Sequence, residues 1–259
     1  MVHVRALPGT PGGRLAVGKI ASLAAAEARM LARSGFDGVI VENMHDAPYV
    51  HSGIDGPGQG PEVVSAMTLC AAAVREAVGP KMPVGVQVLS GGNREAVGIA
   101  HACGLEFIRC ENFVFGHVAD EGVLARAEAG PLLRYRRAIG ADWVRVFCDL
   151  KKKHASHAIT ADVSLADAAH GAEFFGADGL IVTGAATGRE ASAADVGEVR
   201  NASGLPLLVG SGVTPENVGA MFDAGADGVI VGSWIKRGGR WSNELDRRRC
   251  RALIRAARK

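Results

Sequence analysis

The chain has 259 residues, of which 48% are hydrophobic and 22% are charged. This composition is typical of a globular protein with a large core. The net charge of +2, with lysines and arginines scattered along the chain, excludes the basic footprint of a nucleic-acid-binding protein. No stretch of the sequence is long and apolar enough to span a membrane.

Cysteine usage points to a reducing compartment. Five cysteines lie mostly in apolar runs, at positions 70, 103, 110, 148 and 250, and no C-x-x-C pair occurs. An odd number of thiols in such places predicts reduced, buried cysteines. The first residues enter a strand-like run without a signal-peptide pattern. We therefore expect a cytoplasmic protein.

A short sequence pattern, here called the recurring phrase, repeats along the chain. It consists of a glycine, a short polar turn and a run of β-branched apolar residues. The clear copies are SGFDGVIVEN from residue 34, FGADGLIVTG from 175 and AGADGVIVGS from 224. Looser copies begin at residues 103 and 139. The glycine predicts a left-handed helix end and the acid a tight turn. The apolar run predicts a parallel strand buried on both faces, so the acids are expected to be structural.

These phrases and the other apolar runs predict eight strands, near residues 2–7, 38–42, 84–89, 107–111, 143–149, 179–183, 207–210 and 228–232. Helical segments alternate with them, at roughly 19–34, 61–78, 93–103, 129–139, 164–175, 193–203, 214–224 and 243–257. The pattern predicts an α/β protein, a (β/α)8 TIM barrel forming a single domain over residues 1–259. A doubly wound open sheet is the alternative. In a barrel, the loops after the strands share the face that carries the active site.

The seventh and eighth predicted strands end in glycine and serine. Gly210, Ser211 and Gly212 follow the seventh strand, and Gly232 and Ser233 follow the eighth. Because glycine has no Cβ, backbone N–H groups can approach an oxyanion there. We predict a site for phosphate or another small anion, with turns that bind no ligand as the alternative.

Two further features favour the anion site. Thr214 and Pro215 predict a helix that begins directly after the seventh strand, and a helix N-terminus carries a partial positive charge. After the sixth strand, Gly184 and the pair Thr187-Gly188 would add a third wall.

Polar residues cluster after the second predicted strand. Glu42 ends a buried strand, and its position suits a general base or a metal ligand. Asn43 is expected to contact substrate. Glu42, His45 and Asp46 are candidate ligands of a divalent cation, and a hydrogen-bonded loop is the alternative. No nucleotide or flavin cofactor motif occurs. The Gly- and Pro-rich residues 53–61 predict a mobile lid.

The third and fourth strands also end in polar residues. Gln87 and Glu111 are expected to bind substrate. Arg109 lies inside an apolar run, and a buried guanidinium needs an anionic partner. Glu42 or Glu111 would be that partner structurally, and a substrate carboxylate or phosphate would be it functionally.

The fifth strand ends at Asp149 and is followed by three lysines and a histidine. We expect Asp149 and Lys153 to act together with Glu42 and Arg109 in proton transfer and charge stabilisation, since neighbouring charges shift pKa values. His154 is expected to contact substrate. Lysines 151–153 cannot all point inward.

Several stretches resemble the BtpA family, which also includes SgcQ; among them are MVHVRALPGTP, DGVIVENMHDAPY, KKKHASHAIT and LLVGSGVTPENV. The resemblance covers nearly the whole chain and implies a TIM barrel related to phosphate-binding barrels. One cyanobacterial member is implicated in photosystem I biogenesis, and another member lies among genes of sugar-phosphate metabolism. The family supplies motif positions without roles, and these are Glu42, Asn43, Asp46, Pro48, Asp149, Lys153, His154, Gly210, Ser211, Gly212, Gly232 and Ser233.

Two functions are compatible with the sequence. The first is an enzyme that acts on a small phosphorylated metabolite, a sugar phosphate or a nucleotide, by acid–base chemistry of the isomerase, epimerase or lyase type. The second is a non-enzymatic assembly or regulatory factor. We expect a phosphorylated small molecule as partner, no nucleic acid, no membrane, and a homo-oligomer.

Overall fold

The structure, a computed structural model, describes residues 1–52, 58–184 and 191–258. The chain divides into two compact units. The first comprises Met1–Arg109 and Leu132–Arg145, and the second comprises Cys110–Pro131 and Val146–Lys259. The single-domain expectation for residues 1–259 stays a prediction.

The strands of the described chain are β1 Val2–His3, β2 Val39–Glu42, β3 Val84–Gln87, β4 Phe107–Cys110, β5 His117–Ala119, β6 Gly122–Leu124, β7 Arg145–Leu150, β8 Ala155–Ser156, β9 Gly179–Val182, β10 Leu207–Val209 and β11 Gly228–Val229. The α-helices are α1 Val17–Ser34, α2 Pro61–Val78, α3 Asn93–Cys103, α4 Ala129–Ala138, α5 Leu165–Phe174, α6 Ala193–Ala202, α7 Val218–Asp223 and α8 Arg247–Ala257. Short 3-10 turns span Ala158–Thr160 and Arg237–Gly239.

Eight of the strands form a parallel sheet in the order β1, β2, β3, β4, β7, β9, β10, β11. In the first unit β1 to β4 pair in chain order, and in the second unit β7, β9, β10 and β11 do the same. A helix follows each of these strands. Parallel strands in chain order with alternating helices are the (β/α)8 pattern, so the predicted fold class is confirmed.

Burial of the strands explains why the sequence pattern predicts them. Every residue of β2, β3 and β9 is buried. Strands covered on both faces consist of continuous apolar runs rather than alternating ones. The cysteines follow the same pattern: all five are free thiols and four are buried. Burial raises the pKa of Cys70 to about 12, which makes it an unreactive thiol.

Three acids of the recurring phrase and its looser copies are structural, as predicted. Asp178 accepts a hydrogen bond from the Val146 N–H at 2.9 Å through Oδ2, and its own N–H donates to the Val146 oxygen at 2.9 Å. Asp227 makes the same two bonds with Leu207, both at 2.8 Å. In the first unit, Glu106 holds Val84 in this way.

The glycines of the phrase also behave as predicted. Gly176 and Gly225 have φ of 85° and 105°, the left-handed region that ends a helix.

Two predicted helices begin later than expected. α7 starts at Val218 rather than near residue 214, and Thr214 is not its N-cap. The Asn217 carboxamide explains the difference: Oδ1 accepts from the Thr214 N–H at 2.8 Å, and Nδ2 donates to the Gly212 oxygen at 3.0 Å. These bonds hold residues 214–217 in a turn. α8 likewise starts at Arg247 because the Asp246 side chain accepts from the N–H groups of Arg248 and Arg249.

The sequence reasoning missed a small second sheet. In the second unit β6, β5 and β8 form an antiparallel sheet, in that order. β5 and β6 make a hairpin, with His117 opposite Leu124, and β8 adds along the other edge of β5. The loops after β4 and β7 are therefore joined to each other by backbone pairing.

Candidate functional site

In the first unit, the polar residues after β2 tie loops together. Asn43 Oδ1 accepts from the Leu89 N–H at 2.7 Å, and its Nδ2 donates to the Leu89 oxygen at 3.1 Å and to Asp46 Oδ2 at 2.9 Å. Asp46 Oδ1 accepts from the Leu7 N–H at 2.8 Å. Both side chains are buried, and together they connect the loops that follow β1, β2 and β3.

Asp46 has little left to offer a metal. Burial raises the pKa of Asp46, although hydrogen bonds from Leu7, Asn43 and Thr10 oppose that shift. The candidate ligands Glu42, His45 and Asp46 do not assemble: no group of three or more His, Cys, Asp or Glu side chains suited to a metal occurs in residues 1–52, 58–184 or 191–258.

Other strand ends of the first unit also bury polar side chains. His3 Nε2 lies 3.6 Å from Glu42 Oε2, and both residues are buried. Gln87 stands opposite Glu42 in the β2–β3 ladder, and its buried Oε1 accepts no hydrogen bond from the described residues. Arg109 is buried in β4. The predicted roles of Glu42, Gln87 and Arg109 stay predictions.

In the second unit, the lysine brought inward is Lys152. Its side chain is 4% exposed, whereas Lys151 and Lys153 are half-buried. Lys152 Nζ lies 3.4 Å from Glu111 Oε1 and 3.6 Å from Glu121 Oε2. Periodicity does not distinguish three consecutive lysines, and the predicted role of Lys153 stays a prediction.

The charge state of Lys152 follows from its neighbours. Burial alone lowers the pKa of Lys152, but the carboxylates of Glu111, Glu121 and Asp149 outweigh it, so the pKa is raised. The side chain is therefore an ammonium ion at neutral pH. A lysine in this state is a fixed positive charge and a hydrogen-bond donor, not a nucleophile for Schiff-base chemistry.

A pocket in the second unit opens beside this lysine. Its cavity volume is about 20 Å³, and its polar lining includes Asn112, His117, Asp149, Lys152, His157 and Thr160. The His117 and His157 rings lie 5.4 Å apart, and His157 Nε2 is 3.0 Å from the Lys152 backbone oxygen. Proton-transfer groups and a fixed cation thus surround one small space.

Glu121 and His117 were not found from the sequence. Glu121 lies in the β5–β6 turn, and the hairpin brings its carboxylate to Lys152. The segment HVADEGVL carried a usable signal, since two short apolar runs flank an Asp-Glu-Gly turn. His154 lies on the exposed side of the same region, with Nδ1 3.9 Å from Asp120 Oδ2.

The glycine–serine ends also lie in the second unit, on the neighbouring strands β9, β10 and β11. Gly184, Gly210 and Ser211 are buried, while Gly212, Gly232 and Ser233 are half-buried. Gly212 has a φ of 69°, a conformation that glycine adopts without strain.

Thr183 directly follows β9. Its Oγ1 is shielded from solvent and finds no hydrogen-bond partner among the described residues. Thr187 and Gly188 lie outside the described residues, as does most of the proposed lid at 53–61. The anion site stays a prediction.

A model of the BtpA family matches residues 1–259. The chain belongs to the BtpA family. An uncharacterised mitochondrial protein of Caenorhabditis elegans is 45% identical over 95% of this chain and 87% of its own. The photosystem I biogenesis protein BtpA of Synechocystis is 38% identical, over 99% and 86%. An uncharacterised Pyrococcus furiosus protein is 35% identical, over 98% and 92%.

Solved structures share the fold of this BtpA-family chain. Orotidine 5'-phosphate decarboxylase from Pyrococcus horikoshii superposes with a TM-score of 0.60 at 13% identity, over 92% of this chain and 95% of its own. Thiamine phosphate pyrophosphorylase from Pyrococcus furiosus gives 0.56 at 14%, over 90% and 89%. Phosphoribosyl anthranilate isomerase from Thermus thermophilus gives 0.55 at 14%, over 90% and 92%. At these identities the likeness concerns the fold.

No helix within the described parts of the chain has the length and apolarity needed to cross a membrane. The cytoplasmic location stays a prediction, because the name of the Caenorhabditis elegans relative places that protein in mitochondria.

Proposed function

We propose that this BtpA-family protein is an enzyme that acts on a small phosphorylated metabolite, a sugar phosphate or a nucleotide, by acid–base chemistry of the isomerase, epimerase or lyase type. The observation that carries the proposal is the buried ammonium group of Lys152 among the carboxylates of Glu111, Glu121 and Asp149. This cluster lies in the unit that also carries the glycine–serine strand ends.

The composition of the cluster supports a catalytic role. One buried cation lies among three carboxylates, and such charges are costly to remove from water. Buried acids that share a cation beside a pocket are typical of sites that hold and transfer protons.

Each residue has a role in this proposal. Lys152 donates hydrogen bonds to an oxygen on which negative charge develops, the kind of fixed electrostatic stabilisation that lowers barriers most. Asp149 accepts a proton from the substrate and returns it, as a general base and acid. Glu111 and Glu121 hold Lys152 in place and keep it charged.

The phosphate would bind at the ends of β9, β10 and β11. Backbone N–H groups at Gly212 and Gly232 and the hydroxyls of Ser211 and Ser233 are donors of the type that oxyanions accept. The Gly210 N–H already donates to the Val182 oxygen at 2.8 Å, so Gly210 contributes its lack of a side chain rather than a donor. The names of the three fold neighbours support this assignment, since each refers to a phosphate-bearing compound. Glu42 and Arg109 belong to the first unit and keep their predicted roles in proton transfer and charge stabilisation.

The test is thermal stability against inorganic phosphate, ribose 5-phosphate, glucose 6-phosphate and AMP, each with and without Mg²⁺, Mn²⁺ and Zn²⁺. A ligand at about a hundredfold over its Kd stabilises the fold by about 2.7 kcal/mol. We expect a shift with one phosphorylated class, and loss of that shift in Ser211→Asp, which places a negative charge at the anion site. Ser242→Asp, an exposed serine of the same unit, is the matched control.

The ligand class then allows a turnover assay. Asp149→Asn should abolish turnover while the melting curve stays cooperative, and an active Asp149→Asn protein would remove the role given to Asp149. If no phosphorylated compound shifts the melting temperature, the non-enzymatic alternative gains, and a protein partner becomes the object of the search.

A further inference from the structure

Asn112 lines the pocket of the second unit and has an acceptor atom that no described residue uses. The residue is 6% exposed and follows β4 in the left-handed conformation, with φ of 54°. Its Nδ2 donates to the Arg126 oxygen at 2.5 Å, which fixes the orientation of the carboxamide. Its Oδ1 is buried and accepts no hydrogen bond from the described residues. A buried carbonyl oxygen without a donor costs free energy unless a ligand or water supplies one.

The other polar groups of the pocket define what that donor is. Lys152 is an ammonium group that can only donate, whereas Asn112 Oδ1 can only accept. A group that serves both must donate one hydrogen bond and accept another. A hydroxyl does this. A deprotonated phosphate oxygen has no hydrogen to donate, so the carbonyl of Asn112 and the carboxylate of Asp149 would repel it. The cavity of about 20 Å³ is the size of a water or hydroxyl group.

We propose that this pocket binds a hydroxyl of the substrate, with Asn112 Oδ1 accepting a hydrogen bond from the hydroxyl and Lys152 donating one to its oxygen. The inference rests on the proposed function and deepens it. It assigns the substrate to phosphate esters that carry a free hydroxyl, and it makes Asn112 a specificity-determining residue. The phosphate is anchored at the glycine–serine ends, and the hydroxyl-bearing carbon lies beside Asp149.

The experiment compares two esters with the same five-carbon chain, ribitol 5-phosphate and n-pentyl phosphate, with inorganic phosphate as the third probe. Calorimetric titration of the wild-type chain should give a Kd for ribitol 5-phosphate about tenfold below that for n-pentyl phosphate, the effect of one well-made hydrogen-bonded contact. Equal affinities for the two esters would overturn the inference and leave the proposed function intact. No binding of any of the three probes would overturn both.

Two variants at one position separate specificity from folding. Asn112→Gly removes the acceptor and tolerates the positive φ, so the tenfold ratio should fall to about one while inorganic phosphate binds as before. Asn112→Asp keeps an oxygen acceptor in a residue type that also adopts this conformation, so the ratio should survive. Both variants lose the Nδ2 donor to the Arg126 oxygen. A tenfold ratio of the two Kd values that persists in Asn112→Gly would contradict the inference. If that variant does not fold, the ratio measured for the wild-type chain decides.

Discussion

Asp46 in the first unit and Glu111 in the second are both buried carboxylates that follow a strand of the parallel sheet, yet their surroundings differ. Both oxygens of Asp46 accept hydrogen bonds from Leu7 and Asn43, at 2.8 and 2.9 Å. Glu111 faces an ammonium group at 3.4 Å, and it shares that group with a second acid. A buried acid whose two oxygens are hydrogen-bonded by its own chain fixes loops, whereas an acid that shares a cation with a second acid fixes the position of a charged group.

The largest predicted effect concerns the shared cation. Lys152→Met should destabilise the protein by about 3–5 kcal/mol, because removing one partner leaves buried carboxylates uncompensated. Urea denaturation measures the loss. Lys153→Met, next in the chain and half-buried, should cost about 1 kcal/mol or less. Equal losses of unfolding free energy in the two variants would contradict the special pairing of Lys152 with buried carboxylates.

A second prediction asks whether both units rely on the same strand packing. A Cβ on Gly179 would lie 2.3 Å from Phe147 Cε1, and one on Gly85 would lie 2.3 Å from Phe107 Cε2. Gly179→Ala and Gly85→Ala should each cost about 1–3 kcal/mol through overpacking.

The control for these two variants is Gly197→Ala. Gly197 lies in α6, and a Cβ added there would meet no described atom within 4 Å, so alanine should stabilise the helix by up to about 1 kcal/mol. Thermal melts would rank the three variants by stability. If only one of Gly179→Ala and Gly85→Ala were neutral, the two units would not rely on the same strand packing.

A third prediction separates the two ends of the strands. Asp178→Ala leaves the Val146 N–H without its carboxylate acceptor, which should cost about 1–2 kcal/mol. Asp178→Asn retains an acceptor oxygen and should recover most of the loss. Neither change should alter the affinity for a phosphorylated ligand, because Asp178 precedes its strand whereas the candidate site follows the strands. A weakened ligand affinity in Asp178→Asn would argue against that separation.

The smallest effect is a difference in pH dependence. Because burial raises the pKa of Asp46 above 3.8, the folded state holds this proton more tightly than the unfolded state. Stability contributed by the protonated form is therefore lost as pH rises from about 4 through the raised pKa, with a slope of at most about 1.4 kcal/mol per pH unit. Asp46→Asn should flatten this slope in denaturation curves recorded between pH 4 and 7. A variant whose slope equals that of the wild type would mean that other groups dominate.

The sequence placed the eight parallel strands and their helices because buried parallel strands are continuous apolar runs and the intervening helices end at glycine. It predicted α2 and α3 with the bounds that the structure has, 61–78 and 93–103. It missed the turn at 214–217, because the signal for a helix start at Thr214 and Pro215 was overridden by the Asn217 side chain.

The candidate site was harder to predict, for a backbone reason. Lys151 and His154 have φ of 47° and 56°. Such left-handed residues change the direction of the chain, and the sequence has no glycine at these positions to indicate it. The side chain that turns inward is then Lys152 rather than Lys153. The contact with Glu121 depends on a hairpin from a different loop, and periodicity within one segment carries no information about such pairings.

The paired bonds that Glu106, Asp178 and Asp227 make have one direction in common. In each case the partner residue, at 84, 146 or 207, belongs to the preceding strand of the parallel sheet. Each of these three acids thus aligns its own strand with a strand that is synthesised before it. At these three points the register of the sheet is fixed by residues that lie earlier in the chain.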